Sequence, residues 1–188
     1  MPMEIEAFRM PRYREIPDVG LYLDQTVKYI NRRLAPLECL DITSSMVSNY
    51  VKKGYIASPQ RKQYSADQIA CLFFITIAKS VLSMENIDQL LRRQEQRYTR
   101  QEAYDYFCAE LEYRLADCFG LPDAVRPEVR RPSEEQCMLQ SVVIAVVQII
   151  YLSKQFEVWN LNHIIEGVHY KLPAEEVLAL LIGYDEHD

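Results

Sequence analysis

Ser44, Ser45, Ser48, Asn49, Lys52 and Lys53 fall within one short stretch, and Arg61, Lys62 and Tyr64 follow closely. An α-helix turns by about 100° per residue, so Ser45, Ser48, Asn49 and Lys52 share a polar stripe about 100° wide. Met46, Val47, Tyr50 and Val51 fall on the opposite side. Short hydroxyl and amide side chains let a helix approach base edges in the major groove, and Lys52 and Lys53 are placed to neutralise phosphates. The hydroxyl-rich start at Ser44-Ser45 also directs free backbone N–H groups outward, toward an anion. Between Ile42 and Ser65 there are four bases and no acid. An ordinary amphipathic surface helix would carry the same stripe. The basic pair Arg61-Lys62, just beyond the helix on a segment able to form a ribbon, favours contact with a nucleic-acid backbone.

The elements that must hold these residues read as helices. A first helix is expected from Asp18 to Leu34, ending before Pro36, and a second from Thr43 or Ser44 to Gly54, where a left-handed residue closes it. Tyr55-Ile56 and Gln60 to Tyr64 flank a turn with Pro59 and leave room for a very short two-stranded ribbon, although no Asn-Gly hairpin signal is present. Ser65 with Gln68, Thr99 with Glu102 and Ser133 with Gln136 form capping boxes that open further helices, and Ser83 caps a short one from Met84. The helix after Thr99 carries Tyr104, Phe107, Cys108, Leu111, Leu115 and Phe119 at helical spacing and closes at Gly120. After the loop with Pro122, Pro127 and Pro132, the helix from Ser133 is apolar nearly all round, through Leu139, Val142, Val143, Val146, Val147, Ile149 and Ile150. Such a helix is expected at the centre of a bundle. Helical pattern resumes through Phe156, Trp159, Leu161 and Ile164 to Gly167, and a last helix starts after Pro173. The fold class is mainly α, with a short β wing.

The 188 residues include 49% hydrophobic and 26% charged side chains, enough apolar material for a packed core. The net charge of −6 argues at first against a polyanion partner. Residues 1–98 carry 14 bases and 11 acids, whereas residues 99–188 carry 7 bases and 16 acids. The average therefore hides a basic half and an acidic half. The five cysteines form no C-x-x-C pair and read as reduced, mostly buried thiols of a cytoplasmic protein. The stretch Cys137 to Leu152 is shorter than a membrane span of roughly 20 residues and reads as a buried helix, so no membrane is expected.

The run Val47-Ser48-Asn49-Tyr50-Val51-Lys52-Lys53-Gly54-Tyr55-Ile56, followed by Lys62-Gln63-Tyr64-Ser65-Ala66-Asp67-Gln68, resembles the recognition helix and wing of MerR-type winged helix-turn-helix regulators. Tyr50, Gly54, Tyr64 and Ser65 match their pattern, and Lys62 stands where the wing Arg is expected. Leu82-Ser83-Met84-Glu85-Asn86-Ile87 is similar to the short helix that follows in that fold. The wing is short, and Ser48 stands where those regulators place an Arg against phosphate. The chain also resembles the YkrK-like group of uncharacterised bacterial proteins with a domain of unknown function, through this module and Pro17-Asp18…Leu21-Tyr22-Leu23-Asp24-Gln25. The resemblance implies an N-terminal arm over 1–17, a helical lead-in and winged DNA-binding module over 18–98, and an all-helical dimerisation or effector region over 99–188. It implies double-stranded DNA as partner, with contacts from Ser44, Ser45, Ser48, Asn49, Lys52, Lys53, Arg61, Lys62 and Tyr64.

No phosphate loop, dinucleotide fingerprint, zinc-protease or nucleophile-elbow motif occurs, and the cysteines and histidines (His163, His169, His187) lack ligand spacing. Neither an enzyme, a cofactor nor a metal is expected. Arg92, Arg93, Arg97 and Arg100 form a second basic cluster, read as a solvated face or an added backbone contact. A homodimer is expected, because one small module makes few DNA contacts and symmetric dimers double them. The helix from Ser133 is the candidate interface, and the aromatics of the C-terminal half are a candidate pocket for a small effector. A helical protein-interaction module that keeps the winged fold without binding DNA is the alternative.

Overall fold

The computed structural model describes residues 5–122, 124–129 and 131–165, with side chains described through Phe156. Six helices account for most of these residues: α1 (Leu23–Leu34), α2 (Ser44–Lys52), α3 (Ala66–Ala78), α4 (Met84–Glu95), α5 (Arg100–Cys118) and α6 (Glu134–Ile165). Two short strands, β1 (Leu21–Tyr22) and β2 (Gln63–Tyr64), pair antiparallel, with Leu21 opposite Tyr64 and Tyr22 opposite Gln63. The chain forms two compact units, Met1–Tyr151 and Leu152–Asp188, so the expected boundary near Tyr98 falls inside the first. The described part of the second unit is the C-terminal end of α6. His169, His187 and the helix expected after Pro173 lie outside the described residues, as do the side chains of Trp159 and His163.

Caps set the helix starts where the sequence signals place them. The Ser65 hydroxyl accepts from the Gln68 N–H, and the Gln68 side chain accepts from the Ser65 N–H at 2.9 Å. Thr99 with Glu102 and Ser133 with Gln136 are reciprocal in the same way. Ser83 caps α4 alone. Each box satisfies two donors that a helix start leaves orphaned.

Two expectations need correction. The first helix begins at Leu23 rather than Asp18, because Leu21 and Tyr22 are extended and occupied by β2. The local ribbon between Tyr55-Ile56 and Gln60–Tyr64 does not form; locally there is a single bridge, Gln60 to Gln63. Close approach of the two strands depends on Gly20, at φ +76°, where an added Cβ would lie 3.0 Å from the Gln63 Cβ.

The centre of the fold is α3. Every residue from Ile69 to Ala78 is buried, and α1, α4, α5 and β2 pack around it. Its one hydroxyl in that run, Thr76, donates to the Leu72 carbonyl at 2.6 Å. The helix expected at the centre, α6, instead buries one face through Leu139, Val143, Val146, Val147 and Ile150 and leaves Met138, Ile144 and Ile149 exposed. Uniform apolarity does not separate a central helix from one with a second, uncovered face. The thiols also divide: Cys71 and Cys108 are buried and Cys118 is partly so, whereas Cys39 and Cys137 are exposed.

The N-terminal arm is fastened to α5. The Arg12 guanidinium donates to both carboxylate oxygens of Glu112 at 2.9 and 2.6 Å, and the Met10 N–H donates to the same carboxylate at 2.8 Å. The Tyr13 N–H donates to Asp105 at 2.7 Å and its hydroxyl to Asp67 on α3 at 2.6 Å. Ile5, Phe8, Met10 and Ile16 are buried in the common core.

Candidate nucleic-acid interface

Helix α2 presents the stripe to solvent. Ser45, Ser48, Asn49, Lys52 and Lys53 are exposed and Ser44 is half-buried, while Val47 and Tyr50 are in the core. The connector from α1 is fixed by the Asn31 amide, which accepts from the Ile42 N–H at 2.9 Å and donates to the Ile42 carbonyl at 2.8 Å. That clamp places Thr43 as the helix cap, its side chain accepting from the Met46 N–H at 3.3 Å. At the other end Gly54, at φ +78°, lets the chain reverse, and the Tyr55 N–H returns to the Tyr50 carbonyl at 3.0 Å.

Beyond the helix the chain makes a two-residue hairpin turn. The Gln63 N–H donates to the Gln60 carbonyl at 2.8 Å, and the two central residues, Arg61 and Lys62, have φ of 49° and 65°. Two positive φ values in succession are the geometry of a type I′ turn, which normally takes Asn-Gly. For residues with a Cβ the left-handed region costs roughly 1–2 kcal/mol each. Both side chains stand exposed at the tip. Among the described residues Lys52, Lys53, Arg61 and Lys62 form no ion pair.

Three features differ from the sequence reading. Tyr64 is only 4% exposed and belongs to the core, where it anchors β2, so it is removed from the contact residues. The start of α2 is not an open anion site: the Ser44 hydroxyl donates to the Asp24 carboxylate at 3.1 Å, which brings an acid to the helix N-terminus. The Ser48 hydroxyl turns back to the Ser44 carbonyl at 2.8 Å. Asp24 lies twenty residues away in sequence, so no local pattern marks it. Glu85 of α4 also approaches from beside the helix end. Its carboxyl is held below the usual range by its own backbone N–H and by the Tyr55 hydroxyl at 3.0 Å, with Lys53 adding to the effect.

The second basic cluster is neutralised. Arg92 pairs with Asp88 at 2.8 Å, Arg93 with Glu134 at 3.7 Å, Arg97 with Glu135 at 3.5 Å, and Arg100 with Glu95. Of the C-terminal aromatics, Tyr104 and Phe107 are buried and pack against Phe73 and Phe74. A groove of about 640 Å³ lies elsewhere, bordered by Gln60 and Gln63 of the turn, Asp67 of α3 and Asp88, Arg92 and Glu95 of α4. Cys71 borders it, and burial raises its thiol to about 11, which disfavours the thiolate. Among the described residues no group of three or more His, Cys, Asp or Glu side chains is placed to hold a metal ion.

No curated protein and no solved structure matches the chain. One family model does, that of a domain of unknown function, DUF1836, over residues 11–107. The match begins in the arm that Glu112 and Asp105 hold and takes in α1 to α4, both strands and the start of α5. It covers more than half of the sequence, and the chain therefore belongs to the DUF1836 family.

Proposed function

We propose that residues 18–98 are a helical lead-in and MerR-like winged helix-turn-helix that binds double-stranded DNA, and that the protein is a cytoplasmic transcriptional regulator rather than an enzyme. In this reading α1 and α2 are the helix-turn-helix pair, α2 lies in the major groove, and the turn at Arg61-Lys62 is the wing on flanking phosphates. Ser45, Ser48 and Asn49 face base edges, and Lys52, Lys53, Arg61 and Lys62 meet the backbone.

The observation that carries the reading is the turn. Two adjacent cations hold a strained left-handed backbone at the tip of a hairpin and form no ion pair among the described residues. Strain of this kind persists where a function keeps it. Selection of bound genomic fragments by the purified protein, followed by titration of an enriched duplex across salt, tests it. The reading expects enrichment and a log K against log salt slope of about −3 to −4, roughly 0.9 for each of four phosphates neutralised. No enriched sequence and a flat salt response would sink it.

The protein-interaction alternative has its own observation: Asp24 and Glu85 flank α2, so part of the rim of the basic face is acidic. A protein partner bound at Ser45, Ser48 and Asn49 in a pull-down, together with absent DNA binding, would favour it.

A further inference from the structure

The groove of about 640 Å³ beside the turn takes no part in the contacts assigned to DNA. Its volume is within the roughly 300–1,000 Å³ of small-molecule sites. Four stretches far apart in sequence wall it: residues 18–20 before β1, residues 54–63 from the end of α2 into the turn, the start of α3, and α4 with Arg100 of α5.

These walls are fixed in place. The Gln68 side chain donates to the Ala57 carbonyl at 2.7 Å and accepts from the Ser65 N–H, which ties the chain after α2 to the start of α3. The Tyr13 hydroxyl donates to Asp67 at 2.6 Å and orients that carboxylate. Beyond its burial, the Cys71 thiol is shifted by Arg100, Glu95, Asp67 and Asp88, so these four charges converge on one end of the groove.

The charges there do not balance. Asp18, Asp67, Asp88 and Glu95 border the groove against two arginines. Arg92 is taken up by Asp88 and Arg100 by Glu95, which leaves Asp18 and Asp67 without a cationic partner among the described residues. Gln60, Gln63 and Ser58 add amide and hydroxyl acceptors. An anion would meet the two uncompensated carboxylates. A metal ion is a poor occupant, because among the described residues no three such side chains are grouped to hold one.

We propose that this groove binds a small organic cation, an aliphatic compound carrying amine or guanidinium groups, held by Asp67 and Asp18 between the turn and α4. Gln60 and Gln63 bracket Arg61 and Lys62, so an occupant braces the feet of the turn without covering the cations at its tip. The inference does not rest on DNA binding, and its test uses none.

Both carboxylates are exposed, so each holds a cation weakly and in a salt-sensitive way. Isothermal titration of the full chain with agmatine, which has an amine at one end and a guanidinium at the other, should give one site with a Kd of about 0.1–1 mM at low salt. Asp67→Asn keeps an acceptor for Tyr13 and removes only the charge; it should weaken binding about fivefold, and Asp18→Asn about threefold. Asp117→Asn, at an exposed acid near the other end of α5, should leave it unchanged. If Asp67→Asn fails to fold, Asp18→Asn in the exposed lead-in carries the same comparison. Equal losses from all three variants would mean that the amine adheres to the acidic chain at large, and would overturn the proposal. So would absence of binding at about 10 mM agmatine, or equal binding of uncharged 1,5-pentanediol.

Discussion

The cations of α2 and its turn and the arginines of α4 and α5 start from similar sequence chemistry and end in opposite states. Lys52, Lys53, Arg61 and Lys62 lie in a stretch with no acid and form no ion pair among the described residues. Arg92, Arg93, Arg97 and Arg100 each meet a carboxylate. Surface pairs of this kind add little to stability. Their effect is on the field: a cation beside a carboxylate presents little net charge to a polyanion at distances near the Debye length of about 8–10 Å. A count of basic residues treats the two regions alike, and only the placement of acids separates them. Two of those acids, Glu134 and Glu135, come from α6, far along the chain.

The largest effect expected from this contrast is on DNA affinity. Lys52→Ala with Lys62→Ala should weaken binding at least tenfold on every duplex and flatten the salt slope by roughly one to two units. Arg93→Ala with Arg97→Ala should change affinity less than about twofold, within the scatter expected when already-paired cations are removed. Fluorescence anisotropy across a salt series reads both. Equal losses from the two pairs would erase the distinction between free and paired cations.

The turn allows a sharper break, because stability and binding should move in opposite directions. Arg61→Asn with Lys62→Gly supplies the residues that a type I′ turn prefers and relieves the left-handed strain. Allowing for the extra chain entropy of glycine, a gain of about 1 kcal/mol in unfolding free energy is expected. DNA affinity should fall several-fold with a slope lower by up to about two units. A variant that is less stable than the parent would show that the turn is not strained, and the argument from retained strain would go with it.

A third variant reverses the second region. Glu134→Gln with Glu135→Gln frees Arg93 and Arg97, and nonspecific DNA binding should strengthen about two- to fivefold at low salt, with a slope steeper by about one unit. No change on any duplex would mean that these arginines face away from bound DNA whatever their pairing.

How much of this was legible beforehand follows the range of the interactions. Caps are local, and Ser65-Gln68, Thr99-Glu102 and Ser133-Gln136 mark their helices correctly. The α2 stripe follows from helical spacing and appears with the expected exposure. The strand pairing is not legible locally, because β2 joins Leu21-Tyr22, more than forty residues earlier, and its turn uses Arg-Lys in place of a recognisable signal. Tyr64 reads as a contact residue in the sequence because spacing alone does not tell the exposed turn from the residue that anchors it. The sequence does not separate the central helix, because α3 and the helix from Ser133 are both long apolar runs and only tertiary packing decides which is enclosed.

The smallest expected effect tests the boundary of the basic face. Asp24 accepts from Ser44 at the start of α2, where a negative charge complements the helix dipole and where, on the proposed DNA-binding reading, a phosphate would approach. The same carboxylate therefore supports the helix and opposes a bound phosphate. Asp24→Asn keeps an acceptor for the Ser44 hydroxyl and removes only the charge. It should lower thermal stability slightly and raise DNA affinity about two- to threefold at low salt, with the gain shrinking as screening grows. If affinity falls instead, Asp24 is positioning Ser44 for its contact rather than guarding the helix end. The edge of the interface would then include the start of α1.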